Sequence, residues 1–237
     1  MADPGDLRRG IRGAGGTRIR LRRPSDDPGL LLGFYQEAVG QDLPLDHPLL
    51  AGDSPTALDA GARGGPAAVV DQLTGRNQFE VYDAYCATMV AESGQAVVGA
   101  VFLAPPLQLL DGRDDVDAEM AFRVLMSVIK LTAISVLPSH RGRGIGASLV
   151  KQARAACLRC GTAVMYGEFD GRDEALARFY TNAGFELLGR QDVVDLSPIA
   201  GAPFYIREGD GNDLLFARRV SPAYSFAVRR SGVVPES

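Results

Sequence analysis

The sequence predicts a mixed α/β (α+β) domain, and three observations carry the prediction. Two apolar, β-branched runs flank a short Gly-containing turn; patterns for strand, helix, strand, helix and strand then follow in the second half; no internal repeat interrupts the order. A chain of 237 residues can bury a core of its own, and its 46% apolar and 23% charged residues are ordinary for a globular protein.

Residues 1–16, MADPGDLRRGIRGAGG, have no hydrophobic period and are expected to form a disordered basic arm. The first strand is expected at TRIRLR, and a helix over PGLLLGFYQEAVG. Residues 41–80 mix turn signals with short helical patches and are left unassigned. YCATMVAE and AVVGAVFLAP, joined by SGQ, read as a β-hairpin. Residues 111–128 begin with a run of carboxylates and end in a helical pattern. IKLTAISVLP reads as a strand stopped by Pro138, which has no N–H to donate to a ladder.

From Ile145 onward, Leu149, Val150, Ala153, Ala156, Cys157 and Cys160 recur at spacings of three and four, an amphipathic helix ended by Gly161. AVMYGEF is a strand, DEALARFYTNAGF a helix capped by Asp173, and LLFARRV a late strand. The expected organisation is the arm, one domain over 17–220 and a tail over 221–237.

Charge and cysteines exclude several functions. The net charge is −4, yet residues 1–23 hold seven arginines against Asp3 and Asp6. That arm lacks aromatic residues for base stacking, so nucleic acid is not an expected partner. No window is long and apolar enough to span a bilayer and no secretory pattern opens the chain, so a cytoplasmic location and no membrane partner are expected. Cys157 and Cys160 form a CxxC near the end of a helix, where no helix N-terminus stabilises a thiolate. With two histidines in the chain, no metal site is expected either. The pair reads as packing on one helix face.

The most informative stretch is VLPSHRGRGIGASLV, residues 136–150. A strand that passes through a Gly-rich turn into a helix presents unpaired amides and a positive dipole end to an anion. Glycine lets the backbone approach it, and Arg141 and Arg143 add charge-assisted donors. Two phosphate ligands suit this pattern. Gly142, Gly144 and Ala147 fit the dinucleotide fingerprint GxGxxA, with Glu168 about 20 residues on. Against that reading, Pro138-Ser139-His140-Arg141 separates strand from turn, and too few residues follow for a second mononucleotide half.

The other reading is a resemblance. Val136-x-Pro138-x-x-Arg141-Gly142-x-Gly144-x-Gly146 resembles the acyl-CoA motif of the GCN5-related N-acetyltransferases (GNAT), and Phe179, Tyr180, Gly184 and Phe185 resemble that family's second signature. The two lie in the family's order within residues 129–190. The resemblance implies a GNAT-type acyl-CoA N-acyltransferase fold, a central, mostly antiparallel sheet flanked by helices. It implies acetyl-CoA as cosubstrate and direct transfer to an amine in a ternary complex. The pantetheine arm would lie along Ile134, Ser135 and Val136, and the pyrophosphate on Arg141, Gly142, Arg143, Gly144, Ile145, Gly146 and Ala147. Tyr180 would be the general acid and Glu168 the general base, while Asp173 stands where many members have asparagine. Insertions within 41–80 and 111–128 would shape the side that takes a small-molecule or peptide amine. The carboxylates of 111–119 could attract a cation or simply be solvated, and a homodimer could form through an exposed late strand. Two rivals remain at this point: a non-catalytic CoA or nucleotide sensor of the same fold, and an NAD(P)-dependent oxidoreductase.

Overall fold

A computed structural model of the protein describes residues 6–51, 57–189, 192–207, 212–222 and 227–229. In chain order its elements begin with α1 (Asp6–Arg9), β1 (Ile11–Arg12), a 3-10 turn (Ala14–Gly16) and β2 (Arg18–Leu21). α2 (Pro28–Val39), α3 (Ala57–Leu73), α4 (Gln78–Tyr85), β3 (Ala87–Ser93) and β4 (Ala96–Ala104) follow. Next come α5 (Ala118–Ser127), β5 (Val128–Val136), α6 (Ile145–Arg159), β6 (Val164–Asp170) and α7 (Glu174–Asn182). β7 (Glu186–Leu187), β8 (Val193–Asp195), α8 (Ser197–Ala200), β9 (Tyr205–Ile206), β10 (Asp213–Arg219) and β11 (Ala227–Arg229) complete the chain. The fold is the expected mixed α/β one, with a large, mostly antiparallel sheet and flanking helices. No helix among the described residues is long and apolar enough to cross a membrane.

Where the sequence suggests one domain over 17–220, packing separates two compact units, Met1–Pro105 with Leu131–Gly161, and Pro106–Lys130 with Thr162–Ser237. In the first, β1, β2, β3 and β4 pair antiparallel in that order, and β5 follows β4. The hairpin between β3 and β4 turns at Gly94, whose φ of 63° explains the glycine in SGQ. α2 starts at Asp27, whose carboxylate accepts from Gly29 N, and stops at Gly40 in the left-handed region. Its Leu31, Phe34 and Tyr35 pack with Val90, Ala100, Phe102 and Ala133 of the sheet, Tyr35 edge-on to Phe102 at 5.4 Å. α3 and α6 pack closely because Gly61 has no Cβ; one there would stand 2.4 Å from Cys160 Sγ. Cys157 and Cys160 are buried, and Cys160 donates to Leu58 O at 3.4 Å. Burial pushes its thiol up to about 12, which leaves it protonated and inert. The CxxC is packing.

The disordered arm is a correction for residues 6–16, while 1–5 lie outside the described residues. α1, β1 and the 3-10 turn occupy that stretch, with Leu7 buried and β1 paired to β2. Composition suggested disorder because each piece is too short to show a period. Tertiary contacts supply the stability instead: Ala14 N donates to Ser148 Oγ of α6 at 3.0 Å.

In the second unit, the first three residues of β5 pair parallel with β6, Val128↔Val164 through Lys130↔Tyr166. β10 lies antiparallel beside β6 and carries β7 on its other edge. β8, β9 and β11 form a small separate sheet that the sequence does not reveal. β11 falls within the tail expected over 221–237, the rest of which is described only at 221 and 222.

Candidate active site

The Gly-rich turn lies in the first unit and begins where β5 ends. Leu137 N donates to Val98 O of β4 at 2.9 Å, so Leu137 faces β4. Successive residues of a strand turn their N–H and C=O to opposite edges. Ser135 therefore also faces β4, whereas Val136 and Ile134 turn their backbone groups to the other edge. Of the three residues expected to pair with a pantetheine arm, two present backbone groups there and Ser135 does not. Thr132 shares their parity, and the motif gave no reason to name it.

A 3-10 turn over Pro138–His140 links the strand to Arg141, and Gly142 and Gly144 then take φ of 72° and 76°. Only glycine holds that conformation without strain. Gly144 is the N-cap of α6, and having no side chain it leaves the first helical amides uncapped. Gly142, Gly144 and Ala147 are exposed, Gly146 is half-buried and Ile145 is anchored in the core. The result is an exposed, uncapped set of backbone donors at the positive end of a 15-residue helix. That geometry fits a diphosphate.

Both arginines are held by neighbours. Arg143 donates to Ser139 O at 3.0 Å. Arg141 donates through Nε to Val136 O at 2.9 Å and through Nη2 to Glu37 of α2. Glu37 also accepts from Ser135 Oγ at 2.5 Å. One carboxylate thus holds two of the expected cofactor residues, although about 100 positions separate it from them. No local motif could have flagged it.

Tyr180 and Glu168 lie in the second unit. Tyr180 is the one buried residue of α7, 4% exposed, stacked on Phe216 with centroids 3.7 Å apart and flanked by Phe169 and Phe185. Burial raises the pKa of its phenol, which keeps its proton. The signature glycine has a local reason. Gly184 has φ of 82°, and a Cβ there would stand 2.2 Å from Arg218 Nη1. Asp173 caps α7 by accepting from Ala175 N and Leu176 N, and its carboxylate is committed to that task.

Glu168 projects from β6 into a polar group that motif reading did not assemble. Lys130 Nζ stands 3.2 Å from its Oε2, with the two side chains 21% and 27% exposed. The ammonium lies 5.9 Å from the ring centroid of Tyr166, whose hydroxyl accepts from Gln108 Nε2 at 3.1 Å. Burial and the Glu168 charge raise the Tyr166 pKa and keep that phenol neutral. The β5–β6 register places these side chains together, and sequence does not supply a register. Of the carboxylates between 111 and 119, Asp115 pairs with Arg113, Asp117 caps α5 and Glu119 pairs with Arg123. Those three have structural partners.

Residues 84–187 match the family model described as an acetyltransferase (GNAT) domain. Similar solved structures include yncA of Salmonella typhimurium with its cofactor acetyl-CoA, at 16% identity and a TM-score of 0.49, covering 93% of this chain and 98% of that one. An N-acetyltransferase from Staphylococcus aureus Mu50 has 14% identity and a TM-score of 0.48, covering 86% and 98%. A ribosomal-protein-alanine N-acetyltransferase from Brucella melitensis has 19% identity and a TM-score of 0.46, covering 85% and 98%. No curated protein matches the chain.

Proposed function

We propose that the protein, whose residues 84–187 match the family model of a GNAT acetyltransferase domain, is an acetyl-CoA-dependent N-acetyltransferase that passes the acetyl group to an amine by direct attack in a ternary complex. The observation that carries the proposal is the uncapped, exposed glycine turn at the start of α6, inside the matched residues. Residues 129–190 are its CoA-binding core. Main-chain amides of residues 142–147 hold the pyrophosphate, and the backbone groups of Ile134 with the N–H of Val136, whose carbonyl is taken by Arg141, pair with the pantetheine arm as an added strand would. Ser135 acts by holding Glu37 through its hydroxyl.

Acetyl-CoA supplies an activated acyl carbon, and the chain handles the protons. An amine that is charged at neutral pH must lose one, and the departing thiolate must be stabilised or protonated. Glu168 accepts the first proton and Tyr180, kept neutral by burial, donates to the sulfur. No cysteine nucleophile is invoked.

A thiol-release assay with acetyl-CoA and a panel of peptide, polyamine, amino-sugar and aryl amines tests this reading. Acceptor-dependent release of CoA supports it; CoA binding with no release from any amine would indicate a sensor.

The Glu37 contacts lead to a second measurable expectation. Its carboxylate occupies Arg141 as a phosphate would and stands near the phosphate turn as a like charge. Glu37→Gln is expected to tighten CoA binding by up to about fivefold, the worth of one half-exposed ion pair. Weaker binding in calorimetry would show instead that Glu37 orients Arg141 for the cofactor.

A further inference from the structure

A hydrogen bond spanning 134 positions joins the N-terminal hairpin to the helix that opens at the phosphate turn, and both partners lie in the first compact unit. Ala14 N donates to Ser148 Oγ at 3.0 Å. Ser148 N in turn donates at 3.0 Å to the carbonyl of Gly144, the N-cap of α6. One serine thus connects the hairpin to the residue whose conformation opens the helix. The backbones also approach closely. A Cβ on Gly15 would stand 3.1 Å from Arg143 Cβ and 3.5 Å from Arg143 O, and one on Gly144 would stand 3.2 Å from Ala14 Cβ. Glycine at both positions is what lets the two turns meet.

The two turns differ in how firmly they are built. In the hairpin, Gly13 N donates to Thr17 O at 2.8 Å, and Ala14 O accepts from both Thr17 N at 3.2 Å and Thr17 Oγ1 at 2.7 Å. Thr17 is buried, Ile11 and Arg12 pair with Ile19 and Arg18, and β2 pairs with β3. The hairpin turn is therefore fixed to the sheet. The phosphate turn has three glycines within 142–146, and glycine gives up more conformational entropy than any other residue when it is held. A set of amides binds an anion best when it is ordered before the ligand arrives. Because Ser148 meets the hairpin through its hydroxyl, that contact takes none of the amides of residues 142–147.

We propose that Ala14, Gly15 and Ser148 are positioning residues of the cofactor site, through which the hairpin holds the phosphate turn in the shape that receives the pyrophosphate. The inference rests on the acetyl-CoA reading above. It extends the site to residues 13–17, which lie outside the stretch 84–187 matched by the family model. These residues act on the cofactor only through Arg143 and Gly144.

The experiment measures the affinity of the full-length protein for acetyl-CoA by calorimetry, well below the melting temperature of each variant. Ser148→Ala removes the acceptor of the Ala14 amide and is expected to weaken binding by about three- to tenfold, the worth of one hydrogen bond. Ser148→Thr restores a hydroxyl and is expected to bind within about twofold of the wild type. Val69→Ala controls for stability alone. Its buried side chain lies beside Gly61 and Cys160, at the far end of α6, and its truncation is expected to lower the melting temperature with affinity unchanged. Wild-type affinity in Ser148→Ala, no recovery in Ser148→Thr, or an equal loss in Val69→Ala overturns the positioning role and leaves the acetyl-CoA reading standing. A wild-type protein that does not bind acetyl-CoA overturns that reading itself.

Discussion

Replacing Gly144 by glutamate is expected to abolish acetyl-CoA binding while the protein remains folded. Gly144 sits at φ of 76° as the N-cap of α6, and a Cβ there would stand 3.2 Å from the Cβ of Ala14. The left-handed conformation alone costs a side chain about 1–2 kcal/mol, which a folded domain tolerates. The larger effect is electrostatic. A carboxylate at the mouth of the turn would face the pyrophosphate at close range, and two like charges about 4 Å apart near a protein surface repel by roughly 4 kcal/mol. That corresponds to about a thousandfold in affinity. Gly144→Ala carries the strain without the charge and is expected to lose far less. Calorimetry alongside a melting curve separates binding from folding; unchanged affinity in the glutamate variant would show that the turn does not hold the phosphates.

Tyr180→Phe is expected to lower kcat by about 10²- to 10³-fold, the range for a lost general acid, with KM for acetyl-CoA nearly unchanged. Phenylalanine keeps the stack on Phe216 and the contacts with Phe169 and Phe185, so stability should hold. Burial favours the neutral phenol and raises its pKa, so the proton is retained as pH rises. The wild-type rate should therefore show no alkaline loss attributable to Tyr180 below about pH 10, the ordinary phenol value. An unchanged rate in the phenylalanine variant would reduce Tyr180 to a core aromatic.

Which parts were legible in the sequence follows from the range of the interactions that make them. The hairpin, the helix from Ile145 and the cap at Asp173 depend on residues a few positions apart, and their patterns show it. The glycine turn was legible for the same reason, since Gly142 and Gly144 are demanded by their own backbone angles. Residues 6–16 were misread because Ala14 finds its partner, Ser148, 134 residues away. Glu37 was invisible for a like reason, with its partners 98 and 104 positions on. Lys130 meets Glu168 through a strand register that composition and periodicity do not set. The parity of β5 likewise excludes the Ser135 backbone from the edge to which the motif assigned it.

The central claim is that the turn before α6 is an acyl-CoA site, and a thermal-shift series with acetyl-CoA, free CoA, NADH and NADPH tests it most directly. A ligand that binds only the folded state at a hundred times its Kd stabilises by about 2.7 kcal/mol, enough to move a melting curve. Acetyl-CoA and CoA are expected to raise the melting temperature and the nicotinamide dinucleotides to leave it unchanged. Stabilisation by NADH or NADPH alone would mean that the GxGxxA reading of Gly142, Gly144 and Ala147 describes this turn, and the roles given to Tyr180 and Glu168 would fall with the acetyl-CoA site.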